Sequence, residues 1–176
     1  MSIPQPLEVV VDVYRRFSKV AGYGRSPLLL VVRLYWGWQF MQNGWGKLHH
    51  LSGIASFFAS LNIPFPAFNA ALVSGMEFVG GLLLIFGLLS RVAGLALAFD
   101  MMVAYFTAEQ EALRSFFSDP GKFYAADPYT FLFASLMILI FGAGLFSLDE
   151  LIDRFTRDTV TRVAAPVSLN VPVRQG

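Results

Sequence analysis

Apolar and polar positions fall in long blocks along this chain. The longest apolar block is 70–89, AALVSGMEFVGGLLLIFGLL, twenty residues with a single charge, Glu77, near the middle. At about 1.5 Å per residue it is long enough to cross a hydrocarbon core of roughly 30 Å. Three further blocks share this character: 28–46 (LLLVVRLYWGWQFMQNGWG), 92–108 (VAGLALAFDMMVAYFTA) and 129–148, which carries no charge until it ends. Only Ser90 and Arg91 separate the second block from the third. A continuous helix over 70–108 would measure roughly 58 Å, about twice the core, so the chain is expected to turn near Gly87–Gly94 with Arg91 at the water interface.

The connecting stretches predict smaller elements. In LEVVVDVYRRFSKV, Leu7, Val10, Val11, Tyr14 and Phe17 share one helical face, and Glu8, Asp12, Arg15, Arg16 and Lys19 fall largely on the other. That pattern predicts an amphipathic helix on a membrane surface, and no cleavable leader is expected in 1–26 because the apolar region comes too late. Ile54, Phe57, Phe58 and Leu61 predict a short interfacial helix, ended by Pro64 and Pro66. The segment EQEALRSFFSDPGKFYAADP mixes charges with aromatics and has turn signals at Asp119-Pro120-Gly121 and Asp127-Pro128. The polar tail ends in VAAPVSLNVPVRQG, which reads as extended or disordered. The fold class is therefore an all-α polytopic membrane protein. It is a four-span up-down bundle over 27–148, with a surface leader over 1–26 and a basic tail over 149–176.

Composition narrows the chemistry. Of 176 residues, 56% are hydrophobic and 14% charged, against about 25% charged in soluble domains, so bilayer is the natural solvent. A net charge of +1 gives no argument for nucleic acid. The absence of cysteine removes disulfides, thiol catalysis and Cys-ligated metals or clusters. His49 and His50 are adjacent, whereas two ligands on one helix face need a spacing of three or four, so no metal site is expected there. Lys and Arg number nine in the leader, the Arg91 turn and the tail, against three (Lys47, Arg114, Lys122) on the opposite side. That asymmetry predicts both termini in the cytoplasm.

Three charges remain inside spans: Arg33, Glu77 and Asp100. A carboxylate at mid-membrane costs on the order of 3 kcal/mol, so partners are required. Counted from the cytoplasmic ends, they lie roughly 8, 18 and 13 Å deep respectively, within reach of an arginine side chain with some tilt. Each sits on a stripe of small neighbours. Gly37 and Gly44 accompany Arg33, Gly80 and Gly81 adjoin Glu77, and Ala93, Ala96 and Ala104 flank Asp100, so these faces are expected to pack together. Gln42, Asn43 and Lys47 would line the outer mouth of that polar core and contact an anionic or quinone head group. One reading is an ion pair that specifies helix packing. The other starts from charge balance. One guanidinium cannot neutralise two acids, so one acid is expected to hold a proton, which is what a proton-coupled carrier or a quinone site needs.

The elements Asn43-Gly44 to Lys47-Leu48 and Glu77 to Gly80-Gly81, Gly87-Leu88 and Arg91 also resemble the DoxX family of small bacterial membrane proteins. So do the alanine-rich third block and FGAGLFSLDEL after the fourth, and the resemblance spans roughly residues 28–153. It implies a four-helix transmembrane bundle. For some relatives it implies membership of a thiosulfate:quinone oxidoreductase or an oxidative-stress complex. Asp100 has no counterpart in the family pattern and rests on the residue argument alone. The leading expectation is an accessory or quinone-proximal subunit of a membrane redox system, with no covalently bound cofactor and a soluble or membrane redox partner. A proton-coupled transporter and a scaffold recruiting a soluble enzyme are the alternatives.

Overall fold

The computed structural model describes residues 5–164, with side chains over residues 10–157, and every regular element in that range is an α-helix. In order they are α1 (Gln5–Tyr23), α2 (Arg25–His49), α3 (Leu51–Ser60), α4 (Pro66–Phe86), α5 (Ser90–Thr107), α6 (Gln110–Arg114), α7 (Pro120–Ala125), α8 (Pro128–Phe141) and α9 (Leu148–Ala164). Prolines at the first turns of α4, α7 and α8 begin helices where a missing N–H costs nothing. Between α3 and α4 the chain reverses through Asn62 and Phe65, both in left-handed backbone.

Four helices, α2, α4, α5 and α8, close into a ring in which α2 packs chiefly along α4 and α5 along α8. Glycine sets both seams. A Cβ on Gly44 would lie 2.7 Å from the Ser74 carbonyl oxygen and 2.8 Å from the Phe78 Cα. One on Gly37 would meet the Gly81 oxygen at 3.0 Å, and one on Gly81 the Gly37 oxygen at 2.6 Å. The positions climb α2 as they descend α4, so the two run antiparallel with their backbones in contact. Gly80 faces the Leu97 side chain of α5, and Gly94 sets α5 against the Ser135 oxygen of α8, each at 3.0 Å from an added Cβ. The apolar core within the ring is Val32, Phe40, Leu84, Ala93, Leu97, Met101, Ala134 and Ile138.

The outside of the ring is apolar too. Val31, Leu34, Trp38, Leu72, Val79, Leu95, Phe99, Phe106, Phe133 and Ile140 are exposed, while Arg33, Ser74, Glu77, Ser90, Asp100 and Ser135 are buried. By length and composition alone, α4 is the one helix among the described residues long and apolar enough to cross a membrane, with α3 and α8 as shorter apolar helices.

One expectation about the course of the chain is corrected here. The fourth block was expected to run as one span to Leu148. Instead α8 ends at Phe141, because Gly142 and Gly144 adopt positive φ and turn the chain back. The polar tail opens with a seventeen-residue helix, α9, which takes in only Val163 and Ala164 of the stretch expected to be extended. Ser147 begins it by accepting the Glu150 N–H at 3.2 Å, a Ser-x-x-Glu start. Of the segment read as extended or disordered, residues 165–176 lie outside the described residues.

Candidate functional site

The α2/α4 register decides which charges meet. With Gly44 against Ser74 and Phe78, Glu77 faces the C-terminal half of α2, and Lys47 reaches it: Lys47 Nζ to Glu77 Oε1 is 2.6 Å. Glu77 is 2% exposed, whereas the Lys47 side chain is 34% exposed, so the pair is dry at one end and wet at the other. Asp100, 6% exposed on α5, comes within hydrogen-bonding range of Glu77. Glu77 Oε2 and Asp100 Oδ2 are both buried and accept no hydrogen bond. Two carboxylates carry no donor between them, and a single proton on either supplies one.

Arg33 is not part of this group, which corrects the expected arginine–carboxylate pair. The Gly37/Gly81 contact puts Arg33 near the opposite end of the ring, roughly 12 Å from the level of Glu77 at 1.5 Å per residue. There the guanidinium, 1% exposed, donates from Nη2 to the Phe146 carbonyl oxygen at 2.6 Å, while Nε and Nη1 have no partner. Gly87 makes room for it. Its φ is 67°, and an added Cβ would run into the guanidinium and lie 2.7 Å from the Ser147 Cβ. Asp149 completes this end by accepting the Leu89 and Ser90 N–H groups at 2.7 and 2.9 Å, which caps α5, while its own N–H donates to the Gly87 oxygen at 2.9 Å.

The Lys47–Glu77–Asp100 group forms the polar floor of a cavity of about 730 Å³. Phe40, Phe57, Phe58, Met101 and Phe131 wall it, and Asn62, Asn69, Glu109 and Asp127 stand among the polar residues of its lining. Asn43 lines it beside Lys47, one helical turn away. Gln42, turned about 100° from Asn43 on the helix, is exposed and does not. Ile54, Phe57, Phe58 and Leu61 share the face of α3 and its end that closes the cavity. Phe40 and Phe131 meet edge to face at 4.7 Å. The segment joining α5 to α8 is held by Tyr105, whose hydroxyl donates to the Phe123 oxygen at 2.9 Å and whose ring stacks on Phe123 at 4.7 Å. A 2.8 Å ion pair between Lys122 and Glu111 also holds it. That hydrogen bond and the lysine charge keep the Glu111 carboxyl below its ordinary range and hold the Lys122 ammonium above its own.

His49 and His50 hydrogen-bond back to the Trp45 and Gly46 oxygens through Nδ1 and are exposed. No cluster of three or more metal-ligating side chains occurs among the described residues. Residue reasoning did not foresee Glu109 and Asp127 in the cavity lining, because they lie outside the helices that carry the floor. Nor did it foresee the Asp149 cap, although Ser147-Leu148-Asp149-Glu150 carries a helix-start signal.

Against known proteins, residues 28–110 match the DoxX family model. The chain is 28% identical over 123 residues to CatD of Bacillus subtilis (strain 168), a protein described provisionally as an oxidoreductase, covering 70% of this chain and 85% of CatD. It is 28% identical over 127 residues to the inner membrane protein YqjF of Escherichia coli (strain K12), covering 72% and 92% respectively. An uncharacterized membrane protein of Mycobacterium tuberculosis (strain ATCC 25618 / H37Rv) is 29% identical over 136 residues, 70% of this chain and 80% of that one. No solved structure matches.

Proposed function

For a chain that belongs to the DoxX family of membrane proteins through residues 28–110, we propose that it is an inner-membrane subunit of a redox system that holds a quinone head group over Lys47, Glu77 and Asp100. On this reading α2, α4, α5 and α8 are four antiparallel spans, with their exposed leucines, valines and phenylalanines against lipid and their buried charges turned inward. α1 lies on the cytoplasmic surface with its apolar side to the bilayer, and both termini are cytoplasmic, following the lysine and arginine asymmetry. The ends of the ring then differ in role. The Arg33–Asp149 end faces the cytoplasm, and the cavity opens toward the other side.

The observation that carries the reading is the floor of the cavity: a lysine and two acids, two of whose oxygens are buried without a partner. The residues fit a quinone. The volume lies in the range of about 300–1,000 Å³ usual for small-molecule sites, and the aromatic wall suits a flat ring. Quinone carbonyls are acceptors and need donors, which the Lys47 ammonium, the Asn43 amide and a protonated carboxyl provide. When bound, the quinone supplies two-electron, two-proton redox chemistry, with the electrons coming from a partner protein that bears a redox centre. Asp100 and Glu77 hold a proton at the head group, Lys47 fixes the Glu77 carboxylate, and the phenylalanines exclude water. The provisional description of CatD as an oxidoreductase agrees with this assignment.

The test is purification in mild detergent from quinone-replete membranes, followed by extraction and mass spectrometry. Quinone is expected with the wild-type chain and is lost in Glu77→Gln with helicity unchanged by circular dichroism. A wild-type protein that carries no quinone, and whose tryptophan fluorescence ignores added decylubiquinone, refutes the assignment.

A further inference from the structure

The charges facing the cavity are unbalanced. They come from α2 (Lys47), α4 (Glu77), α5 (Asp100), the link after α5 (Glu109) and the link before α8 (Asp127): one cation against four acids. α3 and the body of α8 contribute only apolar side chains to the wall, among them Phe57, Phe58 and Phe131. Glu77 takes up the single positive charge at 2.6 Å, so Asp100 is left at the bottom with no cation of its own and its Oδ2 buried and unpartnered. Glu109 and Asp127 add negative potential where an incoming molecule passes. Acids outnumber the one cation along this path, so an anion is disfavoured there, and low-dielectric walls strengthen the effect.

We propose that this cavity is also a binding site for lipophilic cations, which it takes up in exchange for the proton on Asp100. The aromatic walls suit such a guest, because a positive charge is attracted to the faces of phenylalanine rings, and a delocalised organic cation is cheap to desolvate. The exchange is one for one. The Asp100 carboxylic acid releases its proton to the water in the cavity mouth, and the resulting carboxylate pairs with the entering cation. No electrons move. This inference rests on the cavity and its charges and is independent of the quinone assignment.

The experiment is equilibrium dialysis of the full-length, quinone-free protein in mild detergent against tetraphenylphosphonium, with matched protein-free micelles as the blank. Tetraphenylborate, nearly the same shape with the opposite charge, is measured alongside. Saturable tetraphenylphosphonium binding is expected, at least tenfold tighter than tetraphenylborate, weakening as pH falls because protons compete for Asp100. Asp100→Asn is expected to abolish the preference for the cation. Should that variant lose its helicity, the rim double change Glu109→Gln/Asp127→Asn, at surface-accessible positions, decides instead: it is expected to weaken tetraphenylphosphonium binding several-fold and to flatten its salt dependence. Equal binding of the two ions, or cation binding unchanged in both variants, overturns the proposal. Cation binding by a protein that fails the decylubiquinone test upholds it and refutes only the quinone assignment.

Discussion

Replacing Gly44 by alanine tests the register on which the whole site depends. The new methyl would point at backbone, 2.7 Å from the Ser74 oxygen and 2.8 Å from the Phe78 Cα, so no rotamer change relieves it. Carbon contacts are comfortable at about 3.5–4.0 Å, so α2 and α4 must separate by roughly 1 Å. Overpacking of this kind costs about 1–3 kcal/mol. Gly46, two residues along the same helix, has nothing within 4 Å of an added Cβ, and alanine there gains up to about 1 kcal/mol of helix propensity. The two substitutions are therefore expected to move stability in opposite directions. Thermal melts followed by circular dichroism in dodecylmaltoside read this directly, without a cysteine label. Gly44→Ala is also expected to loosen the Lys47–Glu77 pair, which lies one turn away. A Gly44→Ala protein as stable as Gly46→Ala would mean that the helices do not touch there, and the placement of Glu77 opposite Lys47 would fall with it.

Lys47→Met leaves Glu77 buried without its cation and is expected to destabilise by about 3 kcal/mol, the low end of the range because the lysine is a third exposed. Chemical unfolding of that variant against Lys47→Met/Glu77→Leu checks it, since the double change should recover most of the loss. Asp149→Ala removes the cap from two amides of α5 and is expected to cost about 0.5–2 kcal/mol, with faster hydrogen exchange at Leu89 and Ser90. The Glu111–Lys122 link has a definite pH window. Because the Glu111 value is lowered on folding and that of Lys122 raised, the link is fully formed between their ordinary values of 4.5 and 10.5. It is lost as pH falls through the lowered glutamate value or rises through the raised lysine value. Exchange protection of residues 110–125 is therefore expected to be flat from about pH 5 to 10 and to drop at pH 3, with no change in the melting of the ring.

The parts of the fold that depend on local pattern were legible in the sequence. Most of each long apolar block is helix, the turn expected near Gly87–Gly94 from length alone falls at Gly87–Leu89, and the shared face of Ile54, Phe57, Phe58 and Leu61 lines the cavity. What residue reasoning could not supply was relative height. Depth counts treated Arg33 and Glu77 as neighbours with a little tilt, whereas the contacts of Gly37 and Gly44 lock α2 against α4 with those two charges well apart. A small-residue stripe announces close approach but does not say which glycine meets which backbone atom. Asp100 was placed with Glu77 by its own stripe of alanines. The helix after Leu148 had a readable start, Ser147 to Glu150, whose weight was hidden by the proline- and valine-rich stretch that follows.

The bond from Arg33 to Phe146 joins positions 113 residues apart, and that separation sets an order of events during synthesis. By the time Phe146 leaves the ribosome, α2 has long been made and its guanidinium has been waiting for an acceptor. The first amides of α5 wait likewise for Asp149. A chain ending at Phe141 would contain the residues of all four ring helices and lack both closures. Closure of that end of the ring therefore depends on the segment translated after the last ring helix.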